Sequence, residues 1–345
     1  MSAHPLLLST LKVGSVELRN RIVMPPMVTC MAAGSDQAHH WYLARARGGV
    51  GLIIREATAI RDLARPEFTG SLKRTVDAVH EAGAAIAVQL MEWGRTADGE
   101  PFAVSEDDGV RAATEAELLE LIDLYAHAAV ECRRIGFDGV EAHGAHGFFL
   151  NQFFSPVRNQ RADAFGGSLE ARMEMGLRIV RAIRQAVDPG CLLLYRHTPR
   201  GERYSIEDSR QFARRLQKAG VDILDVSPST SSSHMPRADM AGALKEVVGI
   251  PVIAVGGFGD VDAAESVLEH MRADLIAVGR GLIADPDFGN KVRDGALDDL
   301  IRCNECNEKC FGNLTKGIPI GCALNPRSGE ECMTANGECR VMNNE

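Results

Sequence analysis

The stretch PVIAVGGFGDVDAAESVLEHMRADLIAVGRGLIADPDF, from Pro251 to Phe288, contains two short apolar runs, PVIAV and DLIAV, separated by an amphipathic segment. Runs of this length that are rich in Val and Ile and lack polar alternation are typical of strands buried on both faces of a parallel sheet. Parallel neighbours need a crossover of a dozen or more residues, usually a helix, and the segment between the runs is long enough. The stretch therefore predicts a strand–helix–strand unit whose strands end in glycines.

Six similar runs precede this unit along the chain. They are RIVMPPM from Arg21, GLIIREA from Gly51, AAIAVQL from Ala84, GVEAHG from Gly139, CLLLYRHT from Cys191 and DILDVSPS from Asp222. Eight repeats of strand and helix favour a closed (β/α)8 TIM barrel. An open doubly wound sheet is the alternative, but no G-x-G-x-x-G fingerprint follows the first run. We therefore predict an α/β barrel in residues 1–300 and a loop-rich four-cysteine segment in residues 301–345.

Helix starts are marked at two places between the predicted strands. Thr114 and Glu117 have the spacing of a capping box at the head of a long amphipathic stretch. Ser205 and Asp208 offer a similar cap further along the chain. We expect helices to begin at both places, and the last helix of the barrel to end near residue 300.

The bulk composition is that of an acidic globular protein. Hydrophobic residues make up 45% of the 345 residues, charged residues 25%, and the formal net charge is −9. This balance argues against non-specific binding of nucleic acid or of an anionic membrane. No apolar run reaches the length of a membrane span, and the N-terminal stretch lacks the pattern of a signal peptide. We expect a cytoplasmic protein whose nine cysteines stay reduced or serve as ligands.

The ends of the last two predicted strands carry residues that could bind a phosphate. Gly256 and Gly257 follow the seventh strand, and Gly279 and Arg280 follow the eighth. In TIM barrels the loops after these strands commonly bind phosphate through backbone N–H groups. Glycines allow a phosphate to approach the backbone closely, and an arginine is a bidentate hydrogen-bond donor to phosphate oxygens. The alternative is that the glycines only turn the chain; the two sites together favour phosphate binding.

Polar residues that could bind a ligand or take part in catalysis end the strands in the middle of the chain. His143 and His146 end the fourth strand, where they could bind a metal, hold a carbonyl or phenolate oxygen, or transfer protons. Arg196 ends the fifth strand after an apolar run, so we expect it to face an anion or an electron-rich cofactor. Gln89 ends the third strand and could hydrogen-bond the edge of a heterocycle.

Four cysteines are grouped after the predicted barrel. Cys303, Cys306, Cys310 and Cys322 have the spacing C-x2-C-x3-C-x11-C. Four thiolates are the ligand set of a [4Fe–4S] cluster or of a structural zinc. Zinc sites usually show two separated pairs, so the arrangement of three cysteines plus one favours the cluster.

Longer motifs give the chain a resemblance to a known family. They are LRNRIVMPPM, GGVGLIIREAT, VQLMEWGR, HGAHGFFLNQFFSPVRNQRADAFGGSLEAR, VGRGLIADPDF and the cysteine group. From about residue 5 to residue 326 the chain resembles the Old Yellow Enzyme-like flavin oxidoreductases, specifically the iron–sulfur branch that contains 2,4-dienoyl-CoA reductase and trimethylamine dehydrogenase. The resemblance implies a barrel that binds FMN and a C-terminal segment that binds a [4Fe–4S] cluster.

The same resemblance assigns roles to individual residues. Those implied to lie beside the flavin ring are Pro25, Pro26, Met27, Val28, Ala57 and Gln89. Those implied to bind the FMN phosphate are Gly256, Gly257, Gly279 and Arg280. Arg196 would lie near the N1/O2 edge of the flavin, where a positive charge stabilises the reduced form.

The resemblance also implies a mechanism and two departures from it. His143 and His146 match the pair that hydrogen-bonds the substrate oxygen of ene reductases, which polarises a C=C bond for hydride attack. Many relatives carry a proton-donating tyrosine two places after the second histidine, where this chain has Phe148. Position 92 is Glu92 where many relatives have histidine, which would change the polarity near the substrate. With Phe148 in place, the proton would come from water or from another residue, or would not be needed; Tyr42 and Tyr204 are conceivable donors.

The expected activity is reduction of an activated C=C bond of an α,β-unsaturated carbonyl or enoyl compound. The alternative is an amine dehydrogenase or N-demethylase that passes electrons through the cluster to an external acceptor. A non-catalytic electron-transfer subunit and a flavin-free barrel lyase are two further readings. Relatives with these cysteines usually continue into a half that binds FAD and a pyridine nucleotide. We therefore expect a separate donor or acceptor protein, with direct reduction by NAD(P)H and a homo-oligomer both possible.

Overall fold

Eight parallel strands form a closed barrel, as the sequence predicts. The computed structural model describes residues 3–229 and 237–333. The barrel strands, numbered after a short N-terminal pair β1 and β2, are β3 (Ile22–Met24), β4 (Leu52–Ala59), β5 (Ala85–Met91), β6 (Gly139–Gly144), β7 (Leu192–His197), β8 (Ile223–Val226), β9 (Val252–Val255) and β10 (Leu275–Ala277). Six lie within the predicted runs, whereas β4 extends two residues past its run, to Ala59, and β5 extends one residue, to Met91. Strand β10 pairs with both β9 and β3, which closes the barrel.

Helices surround the barrel and connect its strands. They are α1 (Asp36–Arg47), α2 (Ile60–Leu63), α3 (Pro66–Glu81), α4 (Glu115–Arg134), α5 (Phe149–Phe154), α6 (Leu169–Ala186), α7 (Ile206–Ala219), α8 (Arg237–Lys245), α9 (Val261–Glu269), α10 (Arg280–Ala284), α11 (Phe288–Asp294) and α12 (Phe311–Leu314). Both predicted capping boxes are present, with Thr114 capping α4 and Ser205 capping α7. A short 3-10 turn, Leu297–Asp299, ends the barrel near residue 300. No helix in the described ranges is long and apolar enough to cross a membrane.

A two-stranded antiparallel hairpin precedes the barrel and was not predicted. Its strands are β1 (Leu11–Val13) and β2 (Val16–Leu18), joined at Gly14 with φ of +56°. Val13 and Leu18 are buried and pack in one cluster with residues from the N-terminal parts of the barrel strands. The hairpin therefore covers the end of the barrel away from the predicted site. Glycine followed by serine between two apolar alternating triplets is the signal that could have revealed it.

The described part of the C-terminal segment, residues 301–333, packs against the barrel through polar contacts. The fully buried Arg45 of α1 donates to Glu331 at 2.5 Å and to the carbonyl of Leu282 at 3.1 Å. Its guanidinium lies 3.3 Å from the centre of the Trp41 ring. Ser328 donates to the carbonyl of Ile283 at 2.6 Å. Residues 334–345 of the predicted segment lie outside the described residues.

Replacing Arg45 with methionine should destabilise the protein by about 3–5 kcal/mol. Methionine fills a similar volume but leaves the half-buried Glu331 carboxylate without its partner, and a broken buried ion pair costs about that much. The free energy of unfolding from urea titration measures the loss. Arg47 of the same helix is exposed, so Arg47→Met is the matched control and should change stability by less than about 0.5 kcal/mol. Equal losses in the two variants would contradict the account of this contact.

Candidate active site

The glycines that end β9 and β10 form a pocket at the C-terminal end of the barrel. Gly257, Gly279 and Arg280 line it together with Asp260 and Arg302. Gly257 has φ of +83°, a conformation that suits glycine and turns the chain around the pocket. Arg280 donates to Glu305 of the cysteine segment at 2.8 Å. Backbone loops and two arginines around one pocket provide the donors that a phosphate group needs.

Gly256 adjoins a cation that the sequence did not single out. Its φ is +124°, and a side-chain carbon added there would lie 2.3 Å from Cδ of Arg237. Gly256 does not line the pocket that Gly257 and Gly279 share. Arg237 opens α8, and no sequence pattern reveals that it lies close to Gly256. The glycine is needed here because the Arg237 side chain passes directly over it.

The segment after β3 lies at the same end of the barrel. A side-chain carbon added to Gly279 would lie 3.6 Å from Met27 and 3.6 Å from Pro25, so this segment borders the β10 end. The carbonyl of Pro26 lies 3.5 Å from a guanidinium nitrogen of Arg196. Val28 is exposed, with 39% of its surface accessible. The structure therefore brings the predicted 25–28 stretch together with the glycine and arginine positions.

Ala57 and Gln89 have different surroundings. Ala57 lies half-buried in β4, between Arg55 and Thr58, where the pairing with β5 shifts register. Gln89 is buried and donates its amide N–H to the Glu141 carboxyl at 2.7 Å. The Gln89 amide oxygen remains as an acceptor, and Glu141 fixes which way the amide points. Glu141 was not selected from the sequence, although it lies on the predicted fourth strand.

Arg196 is buried in β7 at the centre of a polar group. Its Nη2 donates to Ser227 at 3.0 Å, and its Nε lies 3.2 Å from Asp225 Oδ2 without hydrogen-bond geometry. Asp225 is opposite Arg196 on the neighbouring strand, and His143 is opposite it on the other side. The buried guanidinium therefore has the Asp225 carboxylate beside it. Ser227 and Asp225 were missed because cross-strand pairing depends on register.

The two histidines lie side by side at the mouth of the barrel. Their ring centres are 5.5 Å apart, His143 is buried, and His146 is exposed with φ of +60°. A positive φ is uncommon for a residue with a side chain and costs some strain, which functional sites often contain. The backbone N–H of His146 donates to Thr198 at 2.9 Å, which holds the turn in place.

Hydrogen bonds define how each ring presents its protons. Nδ1 of His143 accepts the backbone N–H of Ala145 at 3.4 Å, so its proton is on Nε2. Nε2 of His146 lies 2.8 Å from the Ser227 hydroxyl, which itself accepts from Arg196. Burial, Arg196 and His146 hold the pKa of His143 well below its usual value. Partial desolvation and Arg196 lower the pKa of His146 to about 3. Both rings are therefore neutral near pH 7.

The sequence of this barrel matches one family model over most of its length. Residues 7–299 match the model described as the NADH:flavin oxidoreductase / NADH oxidase family. The chain belongs to this family. It is an FMN-dependent oxidoreductase, and NAD(P)H is the reductant that the family uses. The match covers the whole barrel, including every strand end described above.

Relatives in the family match this chain over different shares of their own length. The NADH oxidase of Thermoanaerobacter brockii is 36% identical over 96% of this chain and 57% of its own length. A metal reductase of Desulforamulus reducens is 32% identical over 94% of this chain and 54% of its own length. The NADPH dehydrogenase of Listeria monocytogenes serotype 4a is 33% identical over 84% of this chain and 94% of its own length. The chain thus spans little more than half of the first two relatives.

Two solved structures share the architecture of this chain. The 6-hydroxypseudooxynicotine amine oxidase of Pseudomonas geniculata N1 superposes with a TM-score of 0.87 at 26% identity, covering 96% of this chain and 56% of that one. Morphinone reductase in complex with tetrahydroNAD superposes with a TM-score of 0.74 at 27% identity, covering 85% of this chain and 91% of that one. These likenesses support the same barrel for the present oxidoreductase.

Residues around Phe148 form the outer wall of the mouth in this oxidoreductase. The Phe148 ring lies 5.0 Å from His143 and 5.6 Å from Trp93, measured between ring centres. Glu92 lines the same pocket, but its Oε1 accepts the backbone N–H groups of residues 93–95. The Glu92 carboxylate therefore has a structural partner as well as a place beside the candidate substrate site.

The two tyrosines considered as proton donors are buried and have hydrogen-bond partners within the protein. Tyr42 is buried on α1 and lies 3.4 Å from a carboxyl oxygen of Glu56. Tyr204 is buried, donates to the carbonyl of Thr198 at 3.2 Å and accepts from Asn151 at 3.3 Å. Burial raises the pKa of Tyr204 to about 12 and that of Tyr42 further. Neither hydroxyl replaces the tyrosine that position 148 lacks.

The four grouped cysteines line one small cavity beside the phosphate-sized pocket. Cys303, Cys306, Cys310 and Cys322 all contribute to its wall. Arg280 and Cys303 line both this cavity and the pocket at Gly257. Within residues 3–229 and 237–333, no group of three or more His, Cys, Asp or Glu side chains is arranged to hold a metal ion.

Proposed function

We propose that this oxidoreductase reduces the activated C=C bond of an α,β-unsaturated carbonyl or enoyl compound. The observation that carries the proposal is the pair of neutral histidines, His143 and His146, beside Arg196 at the mouth of the barrel. Bound FMN supplies the hydride in this family. The residues of the chain then have to hold the acceptor, polarise its carbonyl and balance the charge that develops.

The histidines are suited to hold a carbonyl oxygen. With Nδ1 of His143 engaged by Ala145, the Nε2–H donor is free for a ligand. Because Ser227 accepts from Arg196, its own proton can go to Nε2 of His146, which leaves the His146 proton on Nδ1. Two preorganised donors that stabilise negative charge on an oxygen accelerate reactions of this class strongly.

The surroundings of FMN are proposed from the same geometry. Nη1 of Arg196 lies 3.5 Å from the Pro26 carbonyl, so the guanidinium reaches the 25–28 stretch, which fits a cation that faces a cofactor there. The 25–28 stretch borders Gly279, and the Gly257 pocket lies at the end where FMN phosphates bind in barrels. We therefore assign ring contacts to Pro25, Pro26, Met27, Val28, Ala57, Gln89 and Arg196, and phosphate contacts to Gly256, Gly257, Gly279 and Arg280. Arg302 is an additional cation that lines the Gly257 pocket, and Arg237 lies against Gly256.

A [4Fe–4S] cluster is proposed for the cysteine cavity, which would make residues 301–345 an iron–sulfur segment of the chain. The four cysteines line one cavity, and the backbone N–H of Glu305 donates to the sulfur of Cys303 at 3.4 Å, a contact that ligand sulfurs often receive. In a cluster each thiolate binds a different iron, so the sulfurs lie farther apart than around one ion. The match to the Thermoanaerobacter NADH oxidase covers 96% of the chain, so it has to include most of this segment.

Proton delivery and electron supply complete the proposal. Phe148 cannot donate a proton, and Tyr42 and Tyr204 are buried with partners, so the proton for the α-carbon comes from solvent at the open mouth. NAD(P)H reduces the enzyme directly or through a separate protein that docks near the cluster. The cytoplasmic location and a homo-oligomeric state are parts of the same proposal.

Amine oxidation is the second candidate function. The pocket beside Phe148 contains Trp93, Phe102, Asp107 and Asp108, and Trp93 is 55% exposed. Aromatic faces and carboxylates attract an alkylammonium group. The amine oxidase that superposes on 96% of the chain is consistent with this alternative.

Anaerobic photometry tests the two functions against each other. The purified protein is reduced with NADH or NADPH, and the flavin band is followed after addition of an enone. Return of the oxidised band with the enone supports the reductase. Failure of enones, combined with bleaching of the oxidised enzyme by an alkylamine, would favour the dehydrogenase. A colourless protein without FMN would overturn both.

The rate of enone-dependent reoxidation should not fall as the pH decreases from 8 to 5. The lowered pKa values mean that neither histidine gains a proton in this range, so both remain neutral donors. Stopped-flow measurement of flavin reoxidation across this range provides the check. An inflection near the usual histidine pKa of about 6.5 would show that one of the rings titrates in the accessible range.

A further inference from the structure

Two carboxyl groups are buried inside the barrel beneath Arg196. Glu141 lies on β6 and Asp225 on β8, and both side chains are completely inaccessible to solvent. Neither was selected from the sequence, and the reaction as argued above does not use them. A buried carboxylate is costly unless it is paired or protonated, so each needs an explanation.

The hydrogen bonds around these carboxyls are incomplete without an additional proton. Gln89 donates to Oε1 of Glu141 at 2.7 Å. Oε2 of Glu141 and both oxygens of Asp225 have no partner with hydrogen-bond geometry among the described residues. The charge of Asp225 acts directly on Glu141, and Glu141 acts in turn on Asp225. Two carboxylates are both acceptors, so a proton retained by one of them supplies a donor that two charged groups would lack.

The charges that face the pair also favour one retained proton. Arg196, with Nε 3.2 Å from Asp225, is the cation that acts on both carboxyls. Gln89 is neutral, and His143 and His146 are held neutral at the mouth. Burial raises the pKa of both carboxyls, and the Asp225 charge raises that of Glu141 further. One ionised carboxylate balances one guanidinium, whereas two would leave a net negative charge in the interior.

We propose that Glu141 and Asp225 share a single proton and that this proton sets the charge which Arg196 presents to the flavin. In this arrangement Glu141 is the neutral acid, Asp225 is the carboxylate that balances Arg196, and Gln89 orients Glu141. Glu141 is a positioning residue, since it acts through Asp225 and Arg196. The proposal rests on the proposed place of the flavin beside Arg196.

The shared proton has a measurable consequence for reduction. Taking up two electrons and one proton leaves the flavin with one negative charge, and this charge makes loss of the shared proton harder. At alkaline pH, where the pair has lost its proton in the oxidised enzyme, reduction therefore draws a second proton from solvent onto the pair. The reduction potential of the flavin should fall by about 30 mV per pH unit where one proton accompanies the two electrons. It should fall by about 59 mV per pH unit where two protons do.

The variant Glu141→Gln removes the shared proton's ionisable group while keeping a side chain of the same shape. Glutamine keeps a neutral donor toward Asp225 but cannot ionise. We expect the plot of flavin reduction potential against pH to be steeper at alkaline pH in the wild-type holoenzyme. In Glu141→Gln the same plot should have a constant slope of about 30 mV per pH unit. Glu265→Gln is the control: Glu265 is buried but accepts two backbone N–H groups, so its substitution should leave the steeper segment in place. A constant slope in the wild type would overturn the proposal.

Infrared spectroscopy gives a second readout that does not depend on the flavin. A protonated carboxylic acid has a carbonyl band that shifts in D2O. We expect this band in the wild type and in Glu265→Gln, and its loss in Glu141→Gln. Its absence from the wild type would refute the shared proton even if a variant fails to fold. A protein that shows the band but binds no FMN would instead refute the proposed function, while the shared proton of Glu141 and Asp225 would still be supported.

Discussion

Replacing His143 with alanine is expected to slow reoxidation of the reduced enzyme by an enone about 100- to 1,000-fold. His143 presents a neutral Nε2–H donor whose tautomer is fixed by Ala145, and loss of one preorganised donor to a developing oxyanion typically costs that factor. The measurement is anaerobic stopped-flow reoxidation after photochemical reduction, which removes NAD(P)H binding from the result. His143→Gln retains an N–H donor and should keep part of the rate.

Reoxidation by molecular oxygen is the internal control for this variant. Oxygen needs no carbonyl contact, so its rate should be unchanged in His143→Ala. His127 is exposed on α4, away from the mouth, and His127→Ala should behave as the wild type with both oxidants. Equal losses with enone and oxygen would mean that His143 supports the flavin or the fold and does not hold the substrate.

Replacing Cys306 with serine is expected to remove nearly all iron from the protein while FMN is retained. Cys306 is exposed and supplies one of four thiols around the cavity, and a serine hydroxyl is a far weaker ligand for iron. Wild-type protein purified anaerobically should contain about four irons and four acid-labile sulfides per chain. Iron, sulfide and flavin assays on the same sample provide the comparison.

Cys30→Ser is the matched control for the cluster, because Cys30 is a half-buried free thiol that does not line the cavity. This variant should keep its full iron content. Zinc in place of iron in the anaerobic wild type, or unchanged iron in Cys306→Ser, would contradict the cluster. Loss of FMN together with iron would show that the cavity and the Gly257 pocket, which share Cys303, depend on each other.

The barrel could be predicted because its strands are short uninterrupted apolar runs, a pattern that few other elements share. The capping boxes at Thr114 and Ser205 depend only on neighbours three residues away, so they were predictable too. The β1–β2 hairpin was missed because its triplets are too short to stand out. The one-turn helix α12 was missed because, inside the cysteine loop, it has no apolar periodicity.

The candidate site could be predicted only where a residue ends a strand. His143, Arg196 and Gly279 follow apolar runs directly, so the barrel rule places them at the mouth. Glu141 and Asp225 lie inside the runs, and their contact depends on the register of strands β6 to β8. Sequence spacing does not give that register, so the buried acid pair became visible only in the folded chain.

Isotope transfer in a single turnover tests the central claim most directly. The enzyme is reduced with NADPH or NADH carrying deuterium at the transferred position and then mixed with an enone in ordinary water. The account predicts one deuterium at the β-carbon of the saturated product and hydrogen from solvent at the α-carbon, since Phe148 cannot donate. If the labelled nucleotide alone bleaches the flavin, a saturated product without deuterium at the β-carbon would contradict the account, as would no saturated product from any activated alkene.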